Sequence, residues 1–221
     1  GPGTQYRYDE LNRLTEIINA LGETVQKNKY NSAGELVETI DAMQKGIEYL
    51  YDIGGRIREI ITPGASKAGV AAQQYTYDAL GNITGIKDGE GNQTTHSLDL
   101  WGRITEIRKA DGSVEKYTYD YAGNIISSTD GNSNTTEYNY NSLNLLSEII
   151  DPVGDKIEYK YDLQGRLSRK IDRNRRITEY VYNLDDNPVL RKDLSTGTSE
   201  SFAYNMDGTL KTASGGGIAY S

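Results

Sequence analysis

Acidic and amide side chains in short glycine-rich segments are the first candidates for chemistry in this 221-residue sequence. Residues 88–92 read Asp-Gly-Glu-Gly-Asn and residues 130–134 read Asp-Gly-Asn-Ser-Asn, which resembles the start of a calcium-binding loop. The second segment then places Thr135 where such a loop needs glycine, and Asn141 where it needs a bidentate glutamate. The pattern therefore favours plain turns over a calcium site, and we predict no metal and no cofactor.

Catalytic side chains are scarce. The chain has no cysteine and a single histidine, His96, which leaves no Cys–His or multi-histidine site. His96 stands in an aromatic position of the repeat described below, and this favours a packed ring over a ligand. Paired carboxylates remain arithmetically possible among 32 acids, but many of these acids occupy turn positions. We predict no catalytic residue and no enzyme activity.

Charge and hydropathy exclude further classes of function. The formal net charge is -8 and the pI is about 4.8, which disfavours nucleic acid because binding to phosphates rests on Lys and Arg. No run approaches 18 apolar residues, so this fragment is expected to lack a membrane span. Residues 1–3 are expected to be a tag scar or linker. The length is sufficient to bury a core.

The elements that must position these side chains follow from an internal repeat. An aromatic-x-aromatic-Asp/Asn motif occurs ten times, mostly at a spacing of 21 residues, and holds 16 of the 18 tyrosines. The first aromatic positions are Tyr6, Asn28, Tyr49, Tyr75, His96, Tyr117, Tyr138, Tyr159, Tyr180 and Phe202. The second are Tyr8, Tyr30, Tyr51, Tyr77, Leu98, Tyr119, Tyr140, Tyr161, Tyr182 and Tyr204.

A turn is predicted directly after each second aromatic. The next residue is always Asp or Asn: Asp9, Asn31, Asp52, Asp78, Asp99, Asp120, Asn141, Asp162, Asn183 or Asn205. Three residues further on stands Asn12, Gly34, Gly55, Gly81, Gly102, Gly123, Asn144, Gly165, Asp186 or Gly208. An Asp or Asn side chain caps the backbone two residues on, and Gly or Asn accepts the positive φ that closes a turn.

Each unit is expected to hold two strands of about six residues. Nine copies place an aliphatic residue two positions after the turn glycine, and Pro188 is the exception. A second turn follows, visible at 88–91 and 151–154, so a unit reads strand, turn, strand, turn. Both rings of Tyr-x-Tyr share one strand face, whereas Leu14 and Ile17 are three apart and need a β-bulge to do so. Apolar spacing in 11–21 would also fit a helix.

We therefore predict an all-β fold of tandem hairpin repeats of about 21 residues, forming a continuous curved antiparallel sheet. The repeat array spans 4–214, with an insertion near 62–74 read as a solvent loop or a partner contact, and 215–221 form a linker or frayed strand. Stacking of each unit on the next is expected to stabilise the array. Terminal strands leave unpaired backbone groups, which predicts edge-to-edge self-association.

These motifs resemble the Rhs/YD-repeat family, whose units are similar to Tyr-x-Tyr-Asp-x-x-Gly-Arg-Leu. The segments 75–83, 117–125 and 159–167 match closely, as does 50–57, and the resemblance covers residues 4 to about 214. It implies a sheet that spirals into a hollow shell, as in bacterial Rhs proteins, toxin-complex shells, wall-associated proteins and teneurins. The segment 151–154, Asp-Pro-Val-Gly, matches the start of the family's self-cleaving segment only, and we interpret it as a second turn.

The resemblance also implies a function. The parent protein is expected to be secreted or at the cell surface, and its shell to enclose a C-terminal toxin or effector polypeptide. Neighbouring repeats and this cargo are then the partners. The alternative is a cell-surface adhesion module whose exposed tyrosines stack on glycans.

Overall fold

A computed structural model describes residues 3–63, 72–215 and 218–220, and every regular element in these ranges is a β-strand. The chain divides into two compact units, Gly1–Val114 and Glu115–Ser221. Most of the predicted insertion, residues 64–71, lies outside the described residues, as does the first part of the predicted linker at 1–3. Within the described ranges, no helix is long and apolar enough to cross a membrane.

The strands are short and regularly spaced. The first unit holds β1 (Gln5–Tyr8), β2 (Leu14–Ile18), β3 (Thr24–Tyr30), β4 (Leu36–Asp41), β5 (Gly46–Tyr51), β6 (Ile57–Ile61), β7 (Gln73–Tyr77), β8 (Ile83–Asp88), β9 (Gln93–Leu98) and β10 (Ile104–Arg108). Next come β11 (Val114–Tyr119), β12 (Ile125–Thr129), β13 (Thr135–Tyr140), β14 (Leu146–Ile150), β15 (Lys156–Tyr161), β16 (Leu167–Ile171), β17 (Ile177–Tyr182), β18 (Pro188–Asp193), β19 (Ser199–Tyr204), β20 (Leu210–Gly215) and β21 (Ile218–Tyr220).

Consecutive strands pair antiparallel throughout each unit. In the first unit the pairings run from β1 with β2 to β9 with β10. In the second they run from β11 with β12 to β20 with β21. The predicted all-β hairpin repeat is confirmed, and the helical alternative for 11–21 is wrong because those residues belong to the first hairpin.

The turn after the second aromatic, here named the primary turn, has the predicted chemistry. In the turn 162–166, the Asp162 N–H donates to the Arg166 carbonyl at 2.9 Å, and the Gly165 N–H donates to the Asp162 carbonyl at 3.1 Å. All ten fourth positions have a positive φ, including Asn12, Asn144 and Asp186 at 61 to 63°. This conformation costs ordinary residues about 1–2 kcal/mol, which explains why Gly and Asn dominate there.

A β-bulge follows every primary turn. In the hairpin of β15 and β16, Tyr161 is opposite Leu167 and Lys160 is opposite Arg169, so Ser168 is the extra residue. Its hydroxyl donates to the Lys160 carbonyl at 3.1 Å. Thr15, Thr105 and Ser147 make the same bond in their hairpins. Because of the bulge, two aliphatic residues three positions apart, such as Leu14 and Ile17, lie on the same face of the strand.

The turns at the opposite ends of the strands are here named the secondary turns, and those of five residues have the same hydrogen bonds, whereas 193–198 is one residue longer. The segment 151–155 is one of them: the Asp151 N–H donates to the Asp155 carbonyl and the Gly154 N–H donates to the Asp151 carbonyl, both at 2.9 Å. The interpretation of Asp-Pro-Val-Gly as a turn is therefore confirmed.

The described residues do not form the buried hydrophobic core that the chain length allows. Ile18, with 6% of its surface exposed, is the one hydrophobic residue classed as buried among those described, and no described large side chain is fully buried. Tyr6 and Tyr8, on the first strand, each keep 55% exposure. The other motif tyrosines are half-buried, so each contributes less than the roughly 4 kcal/mol that full burial of a tyrosine would give at ~25 cal/mol/Å². Contacts between neighbouring strands replace a central core.

Candidate functional site

The first part of the candidate site is the carboxylate of the primary turn. Asp162 Oδ1 accepts hydrogen bonds from the backbone N–H groups of Gln164 and Arg166 at 3.0 and 2.9 Å, and Oδ2 accepts from Arg166 Nε at 2.8 Å. Asp9 with Arg13, Asp52 with Arg56 and Asp99 with Arg103 repeat this arrangement. In two other turns Asn82 and Asn124 take the place of the arginine.

These hydrogen bonds hold the carboxyls in the ionised form. The side-chain hydrogen bond from Arg56 is the main cause that lowers the pKa of Asp52, followed by the backbone N–H of the same residue. The side-chain amide of Asn82 lowers the pKa of Asp78 in the same way. The turn carboxylates are therefore structural acceptors whose oxygens are already occupied.

The second part is the arginine that closes the turn, because it reaches the next repeat. The Arg13 guanidinium lies 4.7 Å from the ring centroid of Tyr30, Arg56 lies 4.6 Å from Tyr77, and Arg166 lies 4.8 Å from Tyr182. Such stacking is a cation–π contact.

Arg166 adds polar contacts to the same neighbour. Its Nη1 donates to the Asn183 carbonyl at 3.1 Å and to the Asp186 carboxylate at 2.7 Å. One side chain thus ties its own turn, 162–166, to the turn of the following repeat.

The third part is the hydroxyl of the second tyrosine. It donates to the backbone carbonyl of the first aliphatic residue in the preceding repeat, at distances of 2.6 to 3.0 Å. The pairs are Tyr30 with Leu14, Tyr51 with Leu36, Tyr77 with Ile57, Tyr140 with Ile125, Tyr161 with Leu146, Tyr182 with Leu167 and Tyr204 with Pro188.

Burial of these rings is the main cause that raises the pKa of Tyr51, Tyr77, Tyr140, Tyr161 and Tyr182. The hydroxyl therefore stays protonated and able to donate. We call the combination of turn carboxylate, closing arginine and tyrosine hydroxyl the repeat lock.

Two repeats depart from the motif, yet the backbone carbonyl that accepts the tyrosine hydroxyl elsewhere still has a side-chain partner in both. Leu98 replaces the second tyrosine and has no hydroxyl, but His96 Nδ1 lies 3.2 Å from the carbonyl of Ile83, the acceptor that a tyrosine would have used. Pro188 lacks an N–H and still offers its carbonyl to Tyr204 at 2.8 Å. A proline is tolerated at this position because the lock needs only the carbonyl.

The two calcium-like segments are turns of the same kind. Asp88 Oδ1 accepts from the N–H groups of Glu90 and Asn92, and its Oδ2 accepts from the Asn92 amide. The segment 130–134 has the same three contacts. Across the part of the chain that the structure describes, no group of three or more His, Cys, Asp or Glu could hold a metal ion.

The predicted motif residues come together two repeats at a time. Seven of the second tyrosines contact the preceding repeat beside its turn, whereas Tyr6 and Tyr8 lie on the first strand. Sequence reasoning missed the role of Arg13, Arg56 and Arg166. The signal was available, since arginine directly follows the turn glycine or asparagine in these copies.

This geometry defines a class of protein: a tandem β-hairpin repeat in which neighbouring repeats hydrogen-bond and stack on one another. The chain belongs to the teneurin YD-shell family, whose model matches residues 65–213. The Rhs/YD resemblance is thereby confirmed.

Similar proteins share the fold over a limited part of their length. The chain is 31% identical over 83 residues to double-stranded DNA deaminase toxin A of Burkholderia cenocepacia strain H111, which is 38% of this chain and 5% of that protein. It superposes on TcdB2-TccC3 without the hypervariable C-terminal region with a TM-score of 0.72 at 15% identity, over 96% of this chain and 14% of that one. The Photorhabdus luminescens Tc holotoxin pore, TccC3 mutation D651A, gives 0.71 at 14% identity with the same coverage. At these identities the structural likeness shows the fold alone.

Proposed function

We propose that this chain is a non-catalytic wall segment of a hollow YD shell, and that the shell encloses a C-terminal toxin or effector polypeptide before delivery. The observation that carries this proposal is the repeat lock. All three parts are present where Tyr30, Tyr77 and Tyr182 meet the preceding repeat. The tyrosine hydrogen bond is present at seven such boundaries, so the polar groups of the motif make contacts between repeats.

The repeat lock is suited to a shell wall because it joins neighbouring repeats. Tyr161 reaches back to Leu146, and Arg166 reaches forward to Tyr182 and Asp186. Stability of this kind adds up along the array and needs no central core, as in other repeat proteins. An array of such units can extend around a space of any size, which a compact domain cannot do.

The cargo and the location are supported by the relatives. One is named as a toxin, and another is part of a Tc holotoxin. The chain spans about 5% of the first and 14% of the second, so the rest of the protein has room for cargo. We infer that the parent protein is secreted or displayed at the cell surface.

Ring geometry favours the wall over the glycan-binding alternative. A sugar that stacks on tyrosine needs an open ring face. In Tyr30, Tyr77 and Tyr182 an arginine from the preceding repeat lies over one face, and the hydroxyl is bonded to a backbone carbonyl.

Limited proteolysis of the product of the complete gene tests the proposal. In the unaltered protein, a C-terminal fragment should survive a protease concentration that degrades the same fragment produced alone. The variant Tyr161→Phe/Arg166→Ala/Tyr182→Phe should expose that fragment, because it removes contacts between repeats at two boundaries. Tyr121→Phe is the control, since Tyr121 is fully exposed in a turn. Degradation of the fragment at the same rate inside the unaltered protein and alone would contradict encapsulation.

A further inference from the structure

A row of exposed apolar side chains lies on the primary turns of the second unit. Each of its five primary turns carries one, with between 62% and 110% of its surface exposed: Tyr121, Leu143, Leu163, Leu184 and Met206. Large apolar residues at turn tips are unusual, since turns favour Gly, Pro, Asn, Asp and Ser. We name these five residues the apolar rim.

The sheet topology places the whole rim along one edge. Every strand of the unit pairs antiparallel with the next, so all primary turns lie at the same ends of the strands. Successive primary turns are two strands apart, which is roughly 9.5 Å at the usual strand spacing. The rim is therefore a periodic row about 40 Å long.

The opposite edge of the unit differs in character. Its secondary turns are 130–134, 151–155, 172–176 and 193–198. They read Asp-Gly-Asn-Ser-Asn, Asp-Pro-Val-Gly-Asp, Asp-Arg-Asn-Arg-Arg and Asp-Leu-Ser-Thr-Gly-Thr. Val153 is the large apolar side chain most exposed there, and Arg173 and Arg175 form ion pairs with Asp151 and Glu158. Within this unit, every primary turn carries a large apolar side chain with at least 62% exposure, whereas Val153 is the one comparably exposed in the four secondary turns.

Contacts between neighbouring turns fix the rim in place. The Asn124 amide donates to Asn144 Oδ1 at 2.5 Å, and Arg166 donates to Asp186 at 2.7 Å. Its shape is therefore set before any partner arrives, which lowers the entropic cost of binding.

We propose that the apolar rim binds the same rim of a second copy of this chain, in an antiparallel two-fold arrangement. A second rim has the same spacing, so all five side chains can be covered at once, each beside or between the side chains of the other copy. A partner without this period would cover only some of them.

The area is sufficient for a stable pair. Full burial of one such side chain removes on the order of 100 Å² of apolar surface, so five remove about 500 Å² on each copy. The polar turn atoms around them bring the interface near the roughly 800 Å² per partner of a standard complex. About 500 Å² is the size of the largest exposed apolar patch on a typical monomeric protein, and such a patch is often functional.

The primary turns of this unit carry a net negative charge, so electrostatic repulsion works against the pairing of two rims. The turn carboxylates of Asp162 and Asp186 are both held by Arg166, and Asp207 is bonded to Thr209. The remaining net charge of the edge is negative, with Asp185 contributing. Added salt should therefore leave the dimer unchanged or strengthen it, the opposite of what an ionic interface would show.

Sedimentation velocity over about 1 to 100 µM chain tests the proposal. The unaltered chain should form a dimer, and Tyr121→Ser/Leu163→Ser/Leu184→Ser should weaken it by roughly a hundredfold. Leu21→Ser/Met43→Ser/Val153→Ser is the control, because it removes three apolar side chains with 76 to 83% exposure from secondary turns. This control should leave dimerisation unchanged.

Disulfide trapping tests whether the two rims pair about a two-fold axis. The chain contains no cysteine, so Leu163→Cys introduces a single thiol at the middle of the rim, where a two-fold axis brings the two copies together. It should form a covalent dimer under mild oxidation, whereas Val153→Cys should not.

Three results would overturn the proposal. A chain that stays monomeric at the highest concentration has no such interface. A dimer that survives the rim substitutions and does not trap through Leu163→Cys pairs elsewhere, such as through strand edges. Binding of the monomer to phosphatidylcholine vesicles, lost in the rim variant, would assign the rim to lipid instead.

Discussion

The hydroxyl of Tyr161 donates a hydrogen bond to the backbone carbonyl of Leu146, fifteen residues earlier, over 2.7 Å. The carbonyl belongs to the first residue of β14, beside its bulge, where the strand pairing is irregular. The tyrosine of the next repeat thus donates to a backbone carbonyl beside the irregular strand pairing. The aromatic side chain therefore acts as a polar connector as well as apolar surface.

Removing this hydroxyl should weaken the array by a small, defined amount. Tyr161→Phe keeps the ring and leaves the Leu146 carbonyl without that donor, so the free energy of unfolding should fall by about 0.5–1.5 kcal/mol. Tyr121→Phe, which alters a fully exposed ring, should stay within about 0.5 kcal/mol of the unaltered chain. Urea unfolding followed by circular dichroism measures both, and equal effects would show that the hydroxyl contributes nothing.

The closing arginine should not be replaceable by lysine. Arg166 stacks on Tyr182 while its guanidinium reaches Asp162, Asn183 and Asp186. Lysine keeps the charge but has no planar group to make these contacts together. We expect Arg166→Lys to lower the melting temperature by about 2–4 °C, nearly as much as Arg166→Ala.

The replacement Arg166→Asn provides the matched control. Asparagine occupies the same position naturally at Asn82 and Asn124, where it bonds the turn aspartate. Arg166→Asn should therefore lose less stability than Arg166→Lys. The reverse order, measured by thermal unfolding, would mean that charge alone matters at this position.

The sequence was sufficient to predict what depends on local backbone geometry. Positive φ at Asn12, Asn144 and Asp186 followed from the turn chemistry, because few residues adopt that conformation. The spacing of Leu14 and Ile17 indicated that the two can share a face only through a β-bulge, and the structure contains that bulge. Each of these features is decided within about ten residues.

Contacts between repeats could not be predicted in the same way. Stacking of Arg166 on Tyr182 and the bond from Tyr161 to Leu146 join residues 15 to 16 positions apart, and depend on how neighbouring hairpins sit in the sheet. The expected core also failed to appear, because length alone does not reveal whether apolar residues meet at one centre. The apolar rim conflicts with turn preferences, so no local rule could indicate it.

Acid should destabilise the fold through the turn aspartates. The folded-state pKa of Asp52, Asp78 and Asp162 is lowered, the first two mainly by side-chain hydrogen bonds, the third by backbone and side-chain bonds that outweigh desolvation. Each group binds a proton less readily when folded. Its stabilisation is therefore complete above the unfolded pKa of about 4 and is lost as the pH falls through the folded value.

The variant Asp52→Asn/Asp78→Asn/Asp162→Asn isolates this effect. Asparagine keeps the cap, as Asn183 does by accepting from the N–H groups of Asp185 and Asn187 at 3.0 and 2.9 Å. The variant should therefore fold at neutral pH and lose less stability between about pH 5 and pH 2 than the unaltered chain. Urea midpoints measured across that range give the slopes, and identical slopes would place the acid sensitivity in other carboxyls.

Secondary turns should respond to substitution at their fourth position according to backbone strain alone. Gly154 has a φ of 90°, and a Cβ added there would meet no atom within 4 Å. Gly154→Ala should cost about 1–2 kcal/mol of unfolding free energy through its left-handed backbone, and Gly154→Asn less. Ser133 holds the same position at a φ of 66°, so Ser133→Gly should relieve strain and raise stability, less the entropic cost of glycine. Urea unfolding measures these variants. If Ser133→Gly lost as much stability as Gly154→Ala, side-chain contacts and not backbone conformation would govern these turns.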